Sequence, residues 1–237
     1  MQAVEAALAA LSPPSCAACA TAVAAAHALC PPCAITVEPL GPACPRCARP
    51  ESAEPAVECA TCRTTDWPLD ALVAPWRYGG QLAAALRRLK FAPRPHVARE
   101  LAPLYAPFLR AVVEHGAIDV IVPVPLHRRR LAARGFNQVD ALLRHARHAA
   151  GLDVELDGLG LTRVRHTTPQ THLDGEARRL NLLGAFEVRH PARLAGRRVL
   201  LVDDVVATGA TIAAAATAIR VAGAAAVLGF AFARADR

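Results

Sequence analysis

The sequence predicts an α/β protein: a parallel sheet with helices on both faces, preceded by a small cysteine-rich unit. Three observations carry that prediction. From about residue 70 onward, aliphatic runs long enough for one buried strand each (118–125, 198–202, 225–233) alternate with stretches of helical length. All eight cysteines lie before position 63. A chain of 237 residues accommodates one ordinary domain with a small second unit, and the composition places the division between residues 1–65 and 66–237.

The cysteines form four Cys-x-x-Cys pairs, Cys16/Cys19, Cys30/Cys33, Cys44/Cys47 and Cys59/Cys62, separated by ten, ten and eleven residues. Two such pairs can close on one tetrahedral Zn²⁺, and four thiolates leave no open coordination position, so the pattern predicts two structural zinc ions. Sequential pairing, the first four cysteines on one ion and the last four on the other, is the simpler topology; interleaved pairing is the alternative. A redox dithiol accounts for one such pair but not for four in register. No run reaches the ~18 to 20 apolar residues of a membrane span. The N-terminus lacks the basic flank and long apolar core of a signal peptide, so a cytoplasmic location is expected.

The formal net charge of +7 is unevenly spread. Residues 1–65 carry three basic and five acidic side chains, which leaves 24 basic against 15 acidic in residues 66–237, a net of +9. Zinc-bound thiolates would make the first unit more negative still. The larger unit is therefore the one expected to meet an anion.

Along that unit, Trp67 and Trp76 stand at the seam with the cysteine-rich part and are expected to pack the two together. After the Tyr78-Gly79-Gly80 turn, residues 81–91 read as a helix with Leu82, Leu86 and Leu89 on one face, stopped by Pro93 and Pro95. Residues 97–114 are amphipathic, and Pro103 and Pro107 are expected to bend or split them. The strand at 118–125 ends on Pro123 and Pro125, and the chain then turns basic with His127, Arg128, Arg129, Arg130 and Arg134. An arginine run directly after a strand end lies where open α/β sheets bind ligands, and it suits a phosphate or pyrophosphate clamp. Residues 139–149 read as a helix. The polar stretch 163–181 shows no clear strand; with Arg163, Arg165, Gln170, Arg178 and Arg179 it reads as a lid over an anion. Residues 186–188 form a short strand and 225–233 the last buried one.

The organising stretch is 198–211. Its strand is expected to stop at Asp203 and Asp204, two adjacent carboxylates. Ala207, Thr208, Gly209, Ala210 and Thr211 then make a small polar turn that opens an alanine-rich helix ending before Gly223. Backbone amides of a tight turn and the positive end of a helix dipole bind phosphate. Gly209 allows close backbone approach, and Thr208 and Thr211 offer hydroxyl donors. The two acids suit a ligand's hydroxyls or Mg²⁺. A ligand with both features is a sugar phosphate. The turn is neither a Walker A loop nor a Gly-x-Gly-x-x-Gly loop.

Residues 199–211, VLLVDDVVATGAT, resemble the phosphoribosyl pyrophosphate motif of type I phosphoribosyltransferases, in which the acids hold the ribose hydroxyls and the loop the 5′-phosphate. Arg134-Gly135-Phe136-Asn137-Gln138 narrows the resemblance, together with Leu89-Lys90-Phe91, Pro123-Val124-Pro125, Arg163-x-Arg165-x-Thr167-x-x-Gln170, Arg178-x-x-Asn181 and Ala185-Phe186. With these, the chain is similar to the ComF competence-protein family. That resemblance implies a double zinc ribbon before a type I phosphoribosyltransferase-like domain and a role in DNA uptake during natural transformation. One departure is Ala207, where the loop often carries a second threonine; a hydroxyl donor is lost while the backbone amides remain.

The resemblance implies a phosphoribosyltransferase that binds phosphoribosyl pyrophosphate with Mg²⁺. Asp203 and Asp204 would serve the ribose, residues 207–211 the phosphate, Pro125, Leu126 and Arg128 the pyrophosphate, and Arg163, Arg165 and Gln170 the lid. No residue marks the acceptor substrate. The alternative is a non-catalytic single-stranded DNA-binding uptake factor that keeps the fold. In a third reading the zinc ribbons dock a protein of the uptake machinery.

Overall fold

The computed structural model describes residues 14–24, 27–50, 57–91, 96–165 and 184–235. In chain order it contains α1 (Pro31–Ala34), α2 (Ala60–Thr64), β1 (Ala71–Val73), α3 (Gly80–Phe91), α4 (His96–His115), β2 (Val120–Pro123), α5 (Arg128–Arg134) and α6 (Gln138–Ala149). There follow β3 (Glu155–Leu156), β4 (Leu161–Arg163), β5 (Phe186–Val188), β6 (Arg198–Val206), α7 (Ala210–Val221) and β7 (Ala226–Arg234). Five strands form one sheet in the order β1-β7-β6-β2-β3, every neighbouring pair parallel, as the alternating pattern predicts. β4 and β5 pair antiparallel as a separate two-stranded ribbon.

The central strands are apolar throughout because both faces of the sheet are covered. Alternation sorts them: Leu200, Val202, Phe230 and Phe232 face a core built with Leu82, Leu86, Leu101, Tyr105 and Leu142 of α3, α4 and α6. Val199, Leu201, Val227 and Ala231 face a second core with Ile212, Ala215, Ala216 and Ile219 of α7. The alanine-rich face of α7 lets its backbone lie close to the sheet.

Two expected breaks do not occur. α4 runs unbroken through Pro103 and Pro107. The prolines stand four apart on the exposed side of the helix, so the carbonyls that lose a donor face water, while Val97, Leu101, Tyr105, Leu109 and Val113 bury the opposite stripe. β6 likewise does not stop at its acids. It continues to Val206 because β7 supplies a partner all the way, pairing Asp203↔Ala231, Val205↔Ala233 and Val206↔Arg234. Arg163, expected in a strandless stretch, lies in β4 opposite Phe186. The rest of that stretch, with Gln170, Arg178, Arg179 and Asn181, is outside the described residues. The edge strands β1 and β3, of three and two residues, are too short to register as periodic patterns.

The cysteine-rich part is not an appendage at arm's length. Cys16, Cys30 and Cys33 belong to the first core, and Cys44, Cys47, Cys59 and Cys62 to the second. One cysteine group thus lies on each face of the sheet. Both tryptophans pack as expected at the seam, Trp67 within the second core and Trp76 edge-on to Phe108 at 5.5 Å against the first. Backbone bonds from Leu40 N to the Pro75 carbonyl and from Arg77 N to the Glu38 carbonyl, both 2.9 Å, cross the seam as well.

Candidate functional site

The chain leaves β2 toward β3 on one side of the sheet and leaves β6 toward β7 on the other, so the crevice between β2 and β6 is the switch point of the topology. Ligands of open α/β sheets bind at the carboxyl ends of strands at such a point. β2 pairs with β6 only as far as Pro123↔Val202 and then turns away. The next two residues of β6 are Asp203 and Asp204, on opposite faces of the strand, and they line a cleft of about 180 Å³.

Both acids are more than nine-tenths buried. Asp204 Oδ2 accepts from Lys90 Nζ at 2.7 Å and from Gln138 Nε2 at 2.9 Å, while its Oδ1 accepts from Val205 N at 2.7 Å. Asp203 Oδ1 accepts from Asp204 N at 2.8 Å. Burial and the neighbouring Asp204 charge push the Asp203 carboxyl up from its usual 3.8 to about 7, against the pull of Lys90 and Arg163. Arg163 in turn is held down by burial and by Arg130, with Asp203 opposing, and its guanidinium lies 5.4 Å from the Phe186 ring centroid.

The surrounding chain is pinned locally. Asn137 caps α6 by accepting from Val139 N and donates Nδ2 to the Val124 carbonyl, each at 3.0 Å, which fastens the turn after β2 to the start of the next helix. Arg134 donates to Gln138 Oε1 and stands over Phe91, its Cζ 5.6 Å from the ring centroid. Gln138 is thereby oriented to offer its amide N–H to Asp204.

The turn 207–209 leads into α7 with Gly209 at φ +80°, a conformation that favours glycine. A second constraint acts there: a Cβ on Gly209 would fall 2.6 Å from Trp67 Cη2. Glycine is thus required by the indole packed under the turn, whether or not a ligand approaches it. Thr208 Oγ1 accepts from Ala210 N at 3.4 Å.

Of the residues singled out in the sequence, Asp203, Asp204, Thr211, Pro125, Leu126 and Arg163 line the cleft, and Ala207, Thr208, Gly209 and Ala210 form the turn beside it. Arg128 is exposed on α5 outside the lining, where Arg130 and Arg134 stand instead. Arg165 is exposed just beyond β4, and Gln170 is outside the described residues. Arg134 stood in the basic run 127–134, but residue chemistry alone did not single out Lys90 and Gln138. Their only trace was in the short motifs Leu89-Lys90-Phe91 and Arg134 to Gln138, which carry no chemical signature by themselves.

The cysteines gather in sequential pairing: Cys16, Cys19, Cys30 and Cys33 in one group and Cys44, Cys47, Cys59 and Cys62 in the other, the sulfurs of each all within 4.8 Å of one another. Cys19 and Cys30 sulfurs are 3.6 Å apart and those of Cys47 and Cys59 3.7 Å. A tetrahedral site with Zn–S bonds of ~2.3 Å has S···S edges of about 3.8 Å, so both groups fit zinc.

A parallel sheet with an acid pair and a helix-opening turn at its switch point, beside two four-cysteine groups, defines a phosphoribosyltransferase-type domain carrying a zinc ribbon. A family model described as the phosphoribosyl transferase domain matches residues 116–234, and one described as the double zinc ribbon domain matches residues 7–64. The DNA utilization protein YhgH of Salmonella typhimurium is 36% identical over 165 residues, 68% of this chain and 71% of the relative. Competence protein F of Haemophilus influenzae is 32% identical over 161 residues, 66% of this chain and 69% of the relative. The crystal structure of a phosphoribosyltransferase from Corynebacterium diphtheriae aligns at TM-score 0.35 and 20% identity over 63% of this chain and 71% of its own. On the family models and relatives, the chain belongs to the ComF competence-protein family, a double zinc ribbon joined to a phosphoribosyltransferase domain. Among the described residues, no helix is long and apolar enough to cross a membrane.

Proposed function

We propose that the cleft binds phosphoribosyl pyrophosphate together with Mg²⁺ and that the protein is a phosphoribosyltransferase acting in DNA uptake. The observation that carries this reading is the buried Asp203–Asp204 pair at the switch point, followed within a few residues by the turn that opens α7. The acids would accept the ribose hydroxyls, and the turn and α7 dipole would hold the 5′-phosphate. Two carboxylates next to an anion site need a compensating cation, and Lys90 at 2.7 Å from Asp204 supplies it. Arg130 and Arg163 stand in the same cleft for the pyrophosphate.

A bound Mg²⁺ would supply charge neutralisation to the ligand's phosphates. Asp203 would be the chain's donor to it, since Asp204 already holds Lys90. In the reaction the bond from ribose C1 to pyrophosphate breaks and a bond from C1 to an acceptor forms. The chain's part is positional and electrostatic: the acids orient the ribose and the arginines accept the leaving charge. The zinc ions would be structural. The division at residues 1–65 and 66–237 and a cytoplasmic location belong to the same reading.

A second reading rests on Arg128 and Arg129, exposed on α5 beside the cleft, and on the net charge of +9. In it the same domain also holds single-stranded DNA by its backbone, in keeping with relatives named for DNA utilization and competence. Calorimetry with phosphoribosyl pyrophosphate and Mg²⁺ decides the first reading. Binding is expected in the wild type and a loss of two or more decades in Asp203→Asn/Asp204→Asn, since each charge-assisted partner is worth ~1.5 to 3 kcal/mol. Equal affinity in the double variant would move the pocket elsewhere.

A further inference from the structure

Each four-cysteine group, Cys16/Cys19/Cys30/Cys33 as the first knuckle and Cys44/Cys47/Cys59/Cys62 as the second, is fastened to one wall of the cleft by one arginine, and both fastenings run through backbone carbonyls. On the first face of the sheet, Arg88 Nη1 donates to the carbonyls of Cys16 at 3.0 Å and Ala17 at 2.7 Å, inside the first knuckle. Arg88 stands two residues before Lys90 on α3, the lysine that reaches Asp204. The start of α3 is seated on the same part of the chain. Gln81 N donates to Thr36 Oγ1 at 3.1 Å, and a Cβ on Gly80 would lie 2.7 Å from the Thr36 carbonyl oxygen. The helix that delivers Lys90 is thus held near one end by the first knuckle and at the other by the residues just after it.

On the second face the bridge is Arg234, the last residue of β7, 3% exposed. Its Nε donates to the carbonyl of Ala48, the residue after Cys47, at 3.1 Å. Its Nη1 donates to the carbonyls of Val206, at 2.8 Å, and Ala207. Those two carbonyls belong to the entry of the turn 207–209. The same knuckle reaches the turn by a second route. Arg46 Nη2 donates to the Trp67 carbonyl at 2.9 Å, and the Trp67 ring is the surface against which Gly209 rests. A planar guanidinium can bridge two chain segments in one fixed geometry, whereas an ammonium on a flexible stem cannot.

We propose that Arg88 and Arg234 are positioning residues through which the two cysteine knuckles set the cleft, Arg88 placing the Lys90 wall and Arg234 the phosphate turn. The zinc ribbon is then a frame that must be folded before sugar phosphate can bind, and the two knuckles govern different halves of the site. The inference rests on the reading that the cleft binds a sugar phosphate, yet its structural half can be read without any ligand.

The test compares the full-length wild type with Arg234→Lys and Arg88→Lys by peptide-resolved hydrogen exchange, zinc analysis and calorimetry with phosphoribosyl pyrophosphate and Mg²⁺. Arg234→Lys is expected to speed exchange of the amides at 207–211 at least tenfold and to weaken binding about tenfold, with two zinc ions retained and α3 exchanging as in the wild type. Arg88→Lys is expected to speed exchange in 84–91 and leave 207–211 unchanged. A uniform rise across the chain in both variants, or wild-type exchange in both segments, overturns the proposal. If Arg234→Lys does not fold, Trp67→Phe replaces it. That variant withdraws the ring under Gly209, and it must speed exchange at 207–211 without touching α3 for the proposal to stand. Failure of the wild type to bind phosphoribosyl pyrophosphate would sink the functional reading alone, because the exchange pattern still decides whether the arginines position the two walls.

Discussion

Lys90 Nζ lies 2.7 Å from Asp204 Oδ2, with the lysine side chain 23% exposed and the aspartate side chain 11%. This pair joins α3 to the end of β6 and sets a cation against two adjacent buried acids. Gln138 shares the same oxygen, so Asp204 is held from two helices at once.

Breaking the pair from the lysine side leaves a buried carboxylate without its cation. Lys90→Met is expected to lower stability by about 2 kcal/mol, less than the ~3 to 5 kcal/mol of a fully buried pair because the lysine keeps contact with water. Lys90→Met/Asp204→Asn should recover most of that loss. Urea denaturation of the single and double variants measures the coupling; strictly additive losses would mean that the ion pair contributes nothing.

Asp203 gives a pH signature. Its folded-state value of about 7 lies above the usual 3.8, so the folded protein holds this proton more tightly than the unfolded chain does. The stability it contributes is present below about pH 4 and lost as pH rises through about 7. Asp203→Asn removes the penalty and should be more stable than wild type above pH 7, by on the order of 4 kcal/mol, while matching it near pH 4. Melting curves across pH 4 to 8 measure the difference. A constant gap between the two proteins would exclude titration of Asp203 in that window.

Metal analysis of protein purified without chelator is expected to give two Zn²⁺ per chain. Cys62→Ser should reduce this to one, since the second group cannot close on three thiolates without opening a position. Fewer than one equivalent in the wild type would defeat the zinc assignment. Because each cysteine group belongs to one of the two cores, chelation should also lower the cooperativity of unfolding of the whole chain.

Single-stranded DNA is expected to bind weakly and without sequence preference. If ~3 to 4 phosphates are neutralised, log affinity falls with log salt at a slope of about −2 to −3. Arg128, Arg129 and Arg130 changed together to Ala should flatten that slope. Fluorescence anisotropy with a labelled oligonucleotide at several salt concentrations measures it; absence of binding at low salt would remove the second reading and leave the basic surface as solvated charge.

Much of the architecture was legible in residue pattern because it depends on local periodicity and local chemistry. β-branched and aliphatic runs mark strands buried on both faces, Cys-x-x-Cys spacing marks tetrahedral thiolate sites, and Asp203-Asp204 followed by residues 207–211 marks an acid pair before a helix-opening turn, all within short windows. Of the two pairings the cysteine spacing left open, the structure shows the sequential one, which is also the simpler.

What only tertiary structure decided are relationships between residues far apart in the chain. The partner strand β7 carries β6 past its acids, and burial of one face of α4 outweighs two prolines whose cost falls on the exposed face. Lys90, Gln138 and Arg134 are ordinary helical residues until the packing of α3 and α6 against one sheet face brings Lys90 and Gln138 to the same carboxylate oxygen and lets Arg134 orient that glutamine. Arg234 looks like the polar end of an apolar strand, yet 186 residues of separation close to a 3.1 Å hydrogen bond with Ala48. Periodicity and motif spacing report on neighbours along the chain; the direction of a guanidinium or an ammonium is set by which distant carbonyls and carboxylates the fold leaves within reach.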